Sequence, residues 1–395
     1  MRDPRIEEKI PSYIWDICHR FYGVGEDAYV VGGSLRDIML LRDPNDFDLA
    51  TSCLPERTAE LFSDMRVIET GIKHGTVTVM VNGAPVEITT FRIDGSYTDS
   101  RHPDGVSFTG RIEEDLARRD FTVNAMAYND RAGLVDPFGG RADLMGSVIR
   151  AVGDSRKRFT EDALRIMRAF RFSAQLGFCV DGDTLEGAAA CREGLGNIAR
   201  ERIAVEFLKL LTSPEPREAL ALMEQGGILP YITGGYAPRA ETVALLSDMP
   251  KDGGGRLGLF LSDTDTESAK SILRSLKYSN ALTVAALAVV RGSCRAINTP
   301  TDARRLIGEC GAHAENAALA SSLLGNSPKD APLWVRENKA PCGLGELAVS
   351  GRDLMSVGFC GRDVGRILRI LLDRVLEEPS LNERETLLAI AEEYK

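Results

Sequence analysis

The sequence predicts an α+β fold: a small N-terminal domain of mixed β-sheet and helix, followed by a long remainder that is all helical. Three observations carry this. The first 145 or so residues alternate short β-rich runs with turn signals. Two of those runs are separated by Asn82-Gly83, the strongest short-range hairpin signal, which makes them antiparallel neighbours. From about Thr160 the pattern turns helical: Ala163, Ile166, Met167, Phe170 and Ala174 fall at i, i+3, i+4, i+7 and i+11, on one apolar stripe.

Taken in order, Ala28-Tyr29-Val30-Val31 reads as a buried strand, broken by Gly32-Gly33 and followed by a short helix from Ser34 to Leu41. Phe47 to Ala50 is the second strand, and Thr76–Val81 and Pro85–Phe91 form the hairpin. Beyond the switch, Ile203–Leu211, Arg217–Gln225, Glu241–Leu246, Thr283–Val290, Val364–Leu376 and Arg384–Glu393 all admit helical readings. Pro214, Pro216, Pro230 and Gly253-Gly254-Gly255 are expected to break helices. No internal repeat of fixed period is present.

The 395 residues exceed one ordinary domain, so two to four modules are expected. Hydrophobic content of 44% and charged content of 27% exclude dominant disorder. The start, Met1-Arg2-Asp3-Pro4, carries charge where a secretory leader needs an apolar core. The longest nearly uninterrupted apolar run, Ala281 to Val290, is about half the roughly 20 residues of a membrane span. A cytoplasmic protein with no membrane partner is the expectation. Eight cysteines without a C-x-x-C pair suit reduced thiols rather than disulfides or a zinc cage, and with four scattered histidines a metal would have to be held by carboxylates.

Forty-eight Lys and Arg against 58 Asp and Glu leave a net charge of −10, which argues against non-specific coating of nucleic acid. A local basic track stands out between Arg150 and Arg171, where Arg150, Arg156, Lys157, Arg158, Arg165, Arg168 and Arg171 face three acids. Such a run is ordinarily a solvated helix face.

The chemistry concentrates in the N-terminal domain. Gly32-Gly33-Ser34-Leu35-Arg36-Asp37 sits where a strand turns into a helix, so backbone N–H groups and the Arg36 charge can face one anion. In Asp46-Phe47-Asp48, alternation along a strand sends both carboxylates to one face and Phe47 into the core. Two such acids repel unless a cation lies between them, and hard oxygen ligands suit Mg²⁺ bridging to phosphates. Glu87, an acid within an apolar strand, either faces solvent or joins the aspartates as a third carboxylate.

Four ordered segments, Gly32 to Asp37, Asp46 to Thr51, Arg118-Arg119-Asp120-Phe121-Thr122-Val123-Asn124-Ala125-Met126-Ala127, and Glu161-Asp162-Ala163-Leu164-Arg165, resemble the class II tRNA nucleotidyltransferase and poly(A) polymerase family. Asp136-Pro137-Phe138-Gly139-Gly140 looks like the family's hinge, and Glu201 to Phe207 like its last neck motif. The tail segments Ser350-Gly351-Arg352-Asp353-Leu354 and Gly358–Gly365 are similar to those of bacterial CCA-adding enzymes.

The resemblance implies a nucleotidyltransferase head over residues 1–145, a base-recognising neck over 146–212, a body over 213–275 and a tRNA-binding tail over 276–395. It implies addition of CCA to the 3′ end of tRNA from CTP and ATP, with pyrophosphate released and the acceptor stem bound, by a monomer or homodimer. Asp46 and Asp48 would hold Mg²⁺, and Glu87 would help hold the metal or take the proton of the attacking hydroxyl. Gly32, Gly33 and Arg36 would hold phosphates, Arg119, Asp120 and Asn124 would surround ribose and triphosphate, and Arg168 would join the nucleotide site.

Asp162 and Arg165, three apart, would share one helix face, with Glu161 steadying Arg165 at i, i+4. An acceptor beside an arginine fork complements the Watson–Crick edges of cytosine and adenine and mismatches those of uracil and guanine. The segment Tyr97 to Asp104 resembles the family's flexible loop, whose presence goes with terminal A addition, and His102 within it reads as a solvated loop residue. Arginines after Arg150 would contact acceptor-stem phosphates.

Rival readings are an A-adding enzyme or a poly(A) polymerase of the same family. The intact loop disfavours a CC-only enzyme. A non-catalytic RNA-binding relative need not keep Asp46 and Asp48. A dinucleotide-binding fold would need a third glycine at G-x-G-x-x-G spacing, which is missing.

Overall fold

The N-terminal sheet is built from strands β1 (Ala28–Val31), β2 (Asp48–Thr51), β3 (Arg66–Ile68), β4 (Thr76–Val81) and β5 (Ala84–Thr90). After β6 (Arg92–Asp94) and β7 (Val106–Phe108), which pair with each other in a separate two-stranded sheet, β8 (Ala127–Asn129) and β9 (Gly133–Val135) complete it. Its order is β3-β4-β5-β2-β1-β8-β9. The computed structural model describes residues 2–95 and 106–395. The Tyr97–Asp104 segment and His102 therefore lie outside the described residues. The chain divides into two units, Met1–Leu210 with Glu218–Gly235, and Leu211–Arg217 with Tyr236–Lys395.

The sheet is mixed, as its sequence predicts: β1 is antiparallel to β2 and β8, while β2 runs parallel to β5. β1 is buried along its whole length because it is central and covered on both faces. Tyr29, Val31, Ala50, Phe91, Ile112, Leu116 and Ala127 share one apolar cluster there. The β4–β5 hairpin turns at Asn82 and Gly83, both at positive φ (52° and 84°), the conformation that a two-residue primed turn demands. Two boundaries move. The helix after β1 starts at Gly33 and ends at Met39, and β2 begins at Asp48, so Asp46 precedes the strand rather than lying in it.

In the helical part of the first unit, Ala163, Ile166, Met167, Phe170 and Ala174 are all at most 2% exposed, as one stripe requires. The helix is interrupted at its start, however. Helices Ser155–Glu161 and Leu164–Leu176 are separated at Asp162, whose backbone is extended (φ −143°, ψ 102°). The Asp162 carboxylate accepts the Leu164 N–H at 2.9 Å, the local side-chain-to-backbone bond by which aspartate competes with helical pairing. Asp162 and Arg165 thus do not share a helix face, contrary to the sequence expectation.

The second unit corrects another expectation. Gly253-Gly254-Gly255 does not break a helix but opens one, Gly253–Phe260, capped by Asp252 accepting the Gly255 N–H at 2.6 Å. The glycines serve close packing against helix Asn280–Ser293. A Cβ at Gly254 would stand 2.5 Å from Ala285 Cβ, and one at Gly258 would stand 2.5 Å from Val289 Cβ and 2.7 Å from the Ala286 carbonyl. Pro216 likewise opens helix Pro216–Gln225 at its first turn, where its missing N–H costs nothing. Arg256, 2% exposed, donates to the carbonyls of Leu211, Ser213 and Met249. Helix Arg362–Glu377 buries Ile367, Leu371 and Val375 at i, i+4 and i+8.

Because backbone lies behind the Gly258 contact, Gly258→Ala is expected to destabilise the second unit by about 1–3 kcal/mol, the scale of overpacking. Urea unfolding followed on this variant checks it, and an unshifted midpoint would show that the two helices separate freely.

Candidate active site

The strand register gathers the polar residues. β1 ends at Val31 opposite Asp48, the first residue of antiparallel β2, and β5 brings Glu87 level with Asp48 on the other side. The Gly32-Gly33 turn, both acidic motifs and the Thr122–Asn124 turn that leads into β8 therefore meet at one edge of the sheet. Gly32 is at φ 74°, a conformation costly for a residue with a Cβ, and a Cβ there would lie 3.2 Å from Arg119 Nη1.

These residues line a cleft of about 540 Å³. Gly32, Gly33, Arg36, Asp48, Glu87, Arg119, Asp120, Asn124, Asp162, Arg165 and Arg168 all border it, so the structure brings together every site residue read from the sequence except Asp46. Asp46 lies exposed just before β2, outside the lining, with Phe47 buried behind it.

The carboxylate edge carries unresolved repulsion. Burial pushes the Asp48 carboxyl up to about 6, Asp46 and Glu87 push it in the same direction, and Arg119 opposes them. Asp48 is an exposed residue at the start of β2, so its carboxylate opens onto the cleft while neighbouring protein removes part of its hydration. Among the described residues, no three His, Cys, Asp or Glu side chains form a ready metal cage. An acidic edge that is incomplete as a cage fits a hard cation whose remaining ligands are phosphate oxygens and water.

The rest of the lining is strongly cationic: Arg36, Arg118, Arg119, Arg165, Arg168, Arg171 and Arg202 all border the cleft. Each is held by the protein. Arg36 donates to Asn124 Oδ1 at 2.8 Å and pairs with Asp37 at 2.8 Å. Burial raises the Asp120 carboxyl, but Arg168, bonded to it at 2.6 Å, outweighs this and holds it below the usual carboxylate range. Arg165 pairs with Glu161 at 2.9 Å, the predicted i, i+4 contact, and donates to the Arg118 carbonyl at 3.1 Å. Arg202 reaches Asp162 at 3.3 Å.

Arg118, Arg171, Arg202 and Phe172 were not assigned to the site from sequence. Phe172 had no polar signal, yet the guanidinium groups of Arg36, Arg168 and Arg171 lie 5.3, 5.4 and 3.8 Å from its ring centroid. Its spacing from Arg165 and Arg168, at i+7 and i+4 on one helix, was the available clue. The basic track itself is not a uniformly solvated face. Arg150, Arg158, Arg165, Arg168 and Arg171 are in ion pairs with Asp143 and Asp181, Glu161, Glu161, Asp120 and Glu206, whereas Arg156 and Lys157 are exposed.

The Asp48 shift has a sign. A carboxyl raised to about 6 in the fold from 3.8 favours the fold while protonated and loses that contribution as pH rises through 6. Without divalent cation, Asp48→Asn is therefore expected to melt higher than wild type at about pH 7.5, the difference closing below about pH 4. Adding Mg²⁺ should raise the wild-type melting temperature and leave the variant unmoved. Equal melting at neutral pH would overturn the repulsion argument.

Comparison with known proteins finds family matches over three stretches of the chain. Residues 28–150 match the family described as "Poly A polymerase head domain", residues 177–237 "Probable RNA and SrmB- binding site of polymerase A", and residues 257–391 the tRNA nucleotidyltransferase domain 2 family. The chain is 36% identical over 387 residues to a CCA-adding enzyme of Leuconostoc mesenteroides, covering 96% of this chain and 95% of that one. It is 46% identical over 210 residues to a CCA-adding enzyme of Geobacillus stearothermophilus, covering 53% and 52%. The crystal structure of the Bacillus stearothermophilus CCA-adding enzyme in complex with CTP superposes with a TM-score of 0.80 at 32% identity, over 99% of this chain and 98% of that one. With this identity along nearly its whole length, the chain belongs to the bacterial CCA-adding type of the tRNA nucleotidyltransferase and poly(A) polymerase family.

Proposed function

We propose that this protein adds C, C and A in turn to the 3′ end of tRNA, from CTP and ATP and without a nucleic-acid template. The observation that carries the reading is the lining of one cleft: an acidic sheet edge at Asp48 and Glu87 shares it with seven arginines, Arg165 among them, and with Asp162. Asp46 and Asp48 would hold Mg²⁺, which supplies a counter-charge for the triphosphate and lowers the barrier to attack at the α-phosphorus. Gly32, Gly33, Arg36 and Arg119 hold the phosphates, and Asn124 and Asp120 fix the arginines that surround the sugar and triphosphate. Glu87 accepts the proton of the 3′-hydroxyl as its oxygen bonds to the α-phosphorus and pyrophosphate leaves.

Selection of the base falls to Asp162 and Arg165. The carboxylate accepts the exocyclic amine of cytosine or adenine, and the arginine donates to the ring acceptor beside it. Uracil and guanine place an oxygen against Asp162 and are repelled. The interruption at Asp162 frees its carboxylate from a helix surface and leaves it facing the cleft.

Residues 1–145 act as the catalytic head, 146–212 as the base-reading neck, 213–275 as the body and 276–395 as the tail that holds the tRNA acceptor stem. All eight cysteines are free thiols, which suits a reducing cytoplasm, where tRNA is matured. Among the described residues, no helix is long and apolar enough to cross a membrane.

The test is 3′ extension of tRNA ending before CC, after C and after CC, with CTP, ATP or both, in Mg²⁺. Completion of CCA on the shortest substrate is expected. Growth of the CC-ended tRNA alone would mark an A-adding enzyme, a long A tail a poly(A) polymerase, and no growth a binding protein. Asp46→Ala should lower turnover by roughly 10²–10³-fold or more, as the loss of a group that stabilises transition-state charge does. Arg165→Ala should admit UTP and GTP, and retained selectivity would remove it from the base reader.

A further inference from the structure

Asp115 is completely buried, on the short helix Ile112–Ala117, and does not border the cleft. Its two oxygens divide two neighbouring arginines between them. Oδ1 accepts Arg118 Nε at 3.1 Å and Nη2 at 2.7 Å, while Oδ2 accepts Arg119 Nε at 3.4 Å and Nη2 at 3.2 Å. Both arginine side chains are less than one-fifth exposed, so without a shared anion they would repel each other.

The orientation this imposes is specific. With Nε and Nη2 of Arg119 on Asp115, its Nη1 is the group left to face the Gly32 turn, 3.2 Å from where a Cβ would sit, and the Asn124 carbonyl at 3.5 Å. Arg119 is also the cation that offsets the charge of Asp46 and Glu87 at Asp48. On the other branch, the Arg118 carbonyl receives Arg165 Nη2 at 3.1 Å. One buried carboxylate thus sets an arginine beside the phosphate turn and supports the residue that holds Arg165.

We propose that Asp115 is a positioning residue for the nucleotide triphosphate, acting through Arg119 and Arg118 without touching the substrate. The proposal rests on the nucleotide site described under Proposed function. Burial raises the Asp115 carboxyl, but Arg119 and Arg118 outweigh it and hold it below the usual range, so it is an anion at every working pH. Asp115 serves both nucleotides alike, because it stands behind the phosphates and not behind the base.

The test measures CTP and ATP binding by calorimetry on the full chain, beside extension kinetics. Asp115→Asn is expected to weaken both nucleotides together by about 10-fold or more, the scale of a lost outer-sphere partner, raising KM with little change in kcat. Arg119→Lys in the Asp115→Asn background should cost less than the product of the separate effects, whereas Arg168→Lys, held by Asp120, should multiply. Unchanged affinity with a fall in kcat would reduce Asp115 to packing and overturn the proposal, as would independence of Asp115 and Arg119. Should Asp115→Asn fail to fold, Asp115→Glu keeps the charge and shifts the carboxylate by one methylene. It is then expected to give a smaller loss of the same sign for both nucleotides, and unchanged binding would overturn the proposal. Calorimetry reads Asp115 even where tRNA is not extended, so failure of the proposal is distinguishable from failure of the functional reading.

Discussion

Everything in the catalytic half depends on one unfavourable contact, the crowding of Asp46, Asp48 and Glu87 at a single sheet edge. Parallel pairing of β2 with β5 puts Asp48 and Glu87 side by side, and antiparallel pairing of β1 with β2 puts the Gly32 turn at the same edge. Like charges so placed raise the cost of ionising Asp48. Arg119 offsets part of that charge, and a hard cation bound with phosphate oxygens would offset more of it.

The arginine wall is itself expensive, and the protein stabilises it with one anion or π face for nearly every guanidinium. Asp115 takes Arg118 and Arg119, Asp120 takes Arg168, Glu161 takes Arg158 and Arg165, and Glu206 takes Arg171. Phe172 fills the space among Arg36, Arg168 and Arg171, where an aliphatic side chain would pack but offer no attraction to cations. Fixed in this way, the arginines present charge to the cleft from side chains already held in place. The net charge of −10 is compatible with this because the positive field is local.

In the second unit the constraint is space rather than charge. Gly254, Gly258 and Gly292 let helices approach until any Cβ would fall within 2.5 Å of a neighbour's. A run of three glycines carries two meanings in a sequence, a flexible breaker or a contact surface. What decides is whether a capping residue and a facing helix are present. Asp252 and helix Asn280–Ser293 supply both, and neither adjacency is visible in a linear reading.

The sequence by itself determined the order of elements, the hairpin at Asn82-Gly83, the apolar stripe from Ala163 to Ala174 and most of the polar residues that line the cleft. Those features rest on local chemistry: turn conformations, helical periodicity and short motifs whose spacing is conserved by the strand or helix they occupy. Tertiary structure decided where Asp46 sits relative to β2, that the helix stops at Asp162, and that Phe172 and Arg202 line the cleft. Arg202 and Phe172 meet partners 40 or more residues away, and the helix stop is a backbone choice made with a single side chain. Asp162 pairs with Arg202 across 40 positions, and Phe172 meets Arg36 only because the sheet and the helix pack together. Pairings of that kind are written in the fold's geometry, since a charge in a sequence announces its sign but not the partner that will neutralise it.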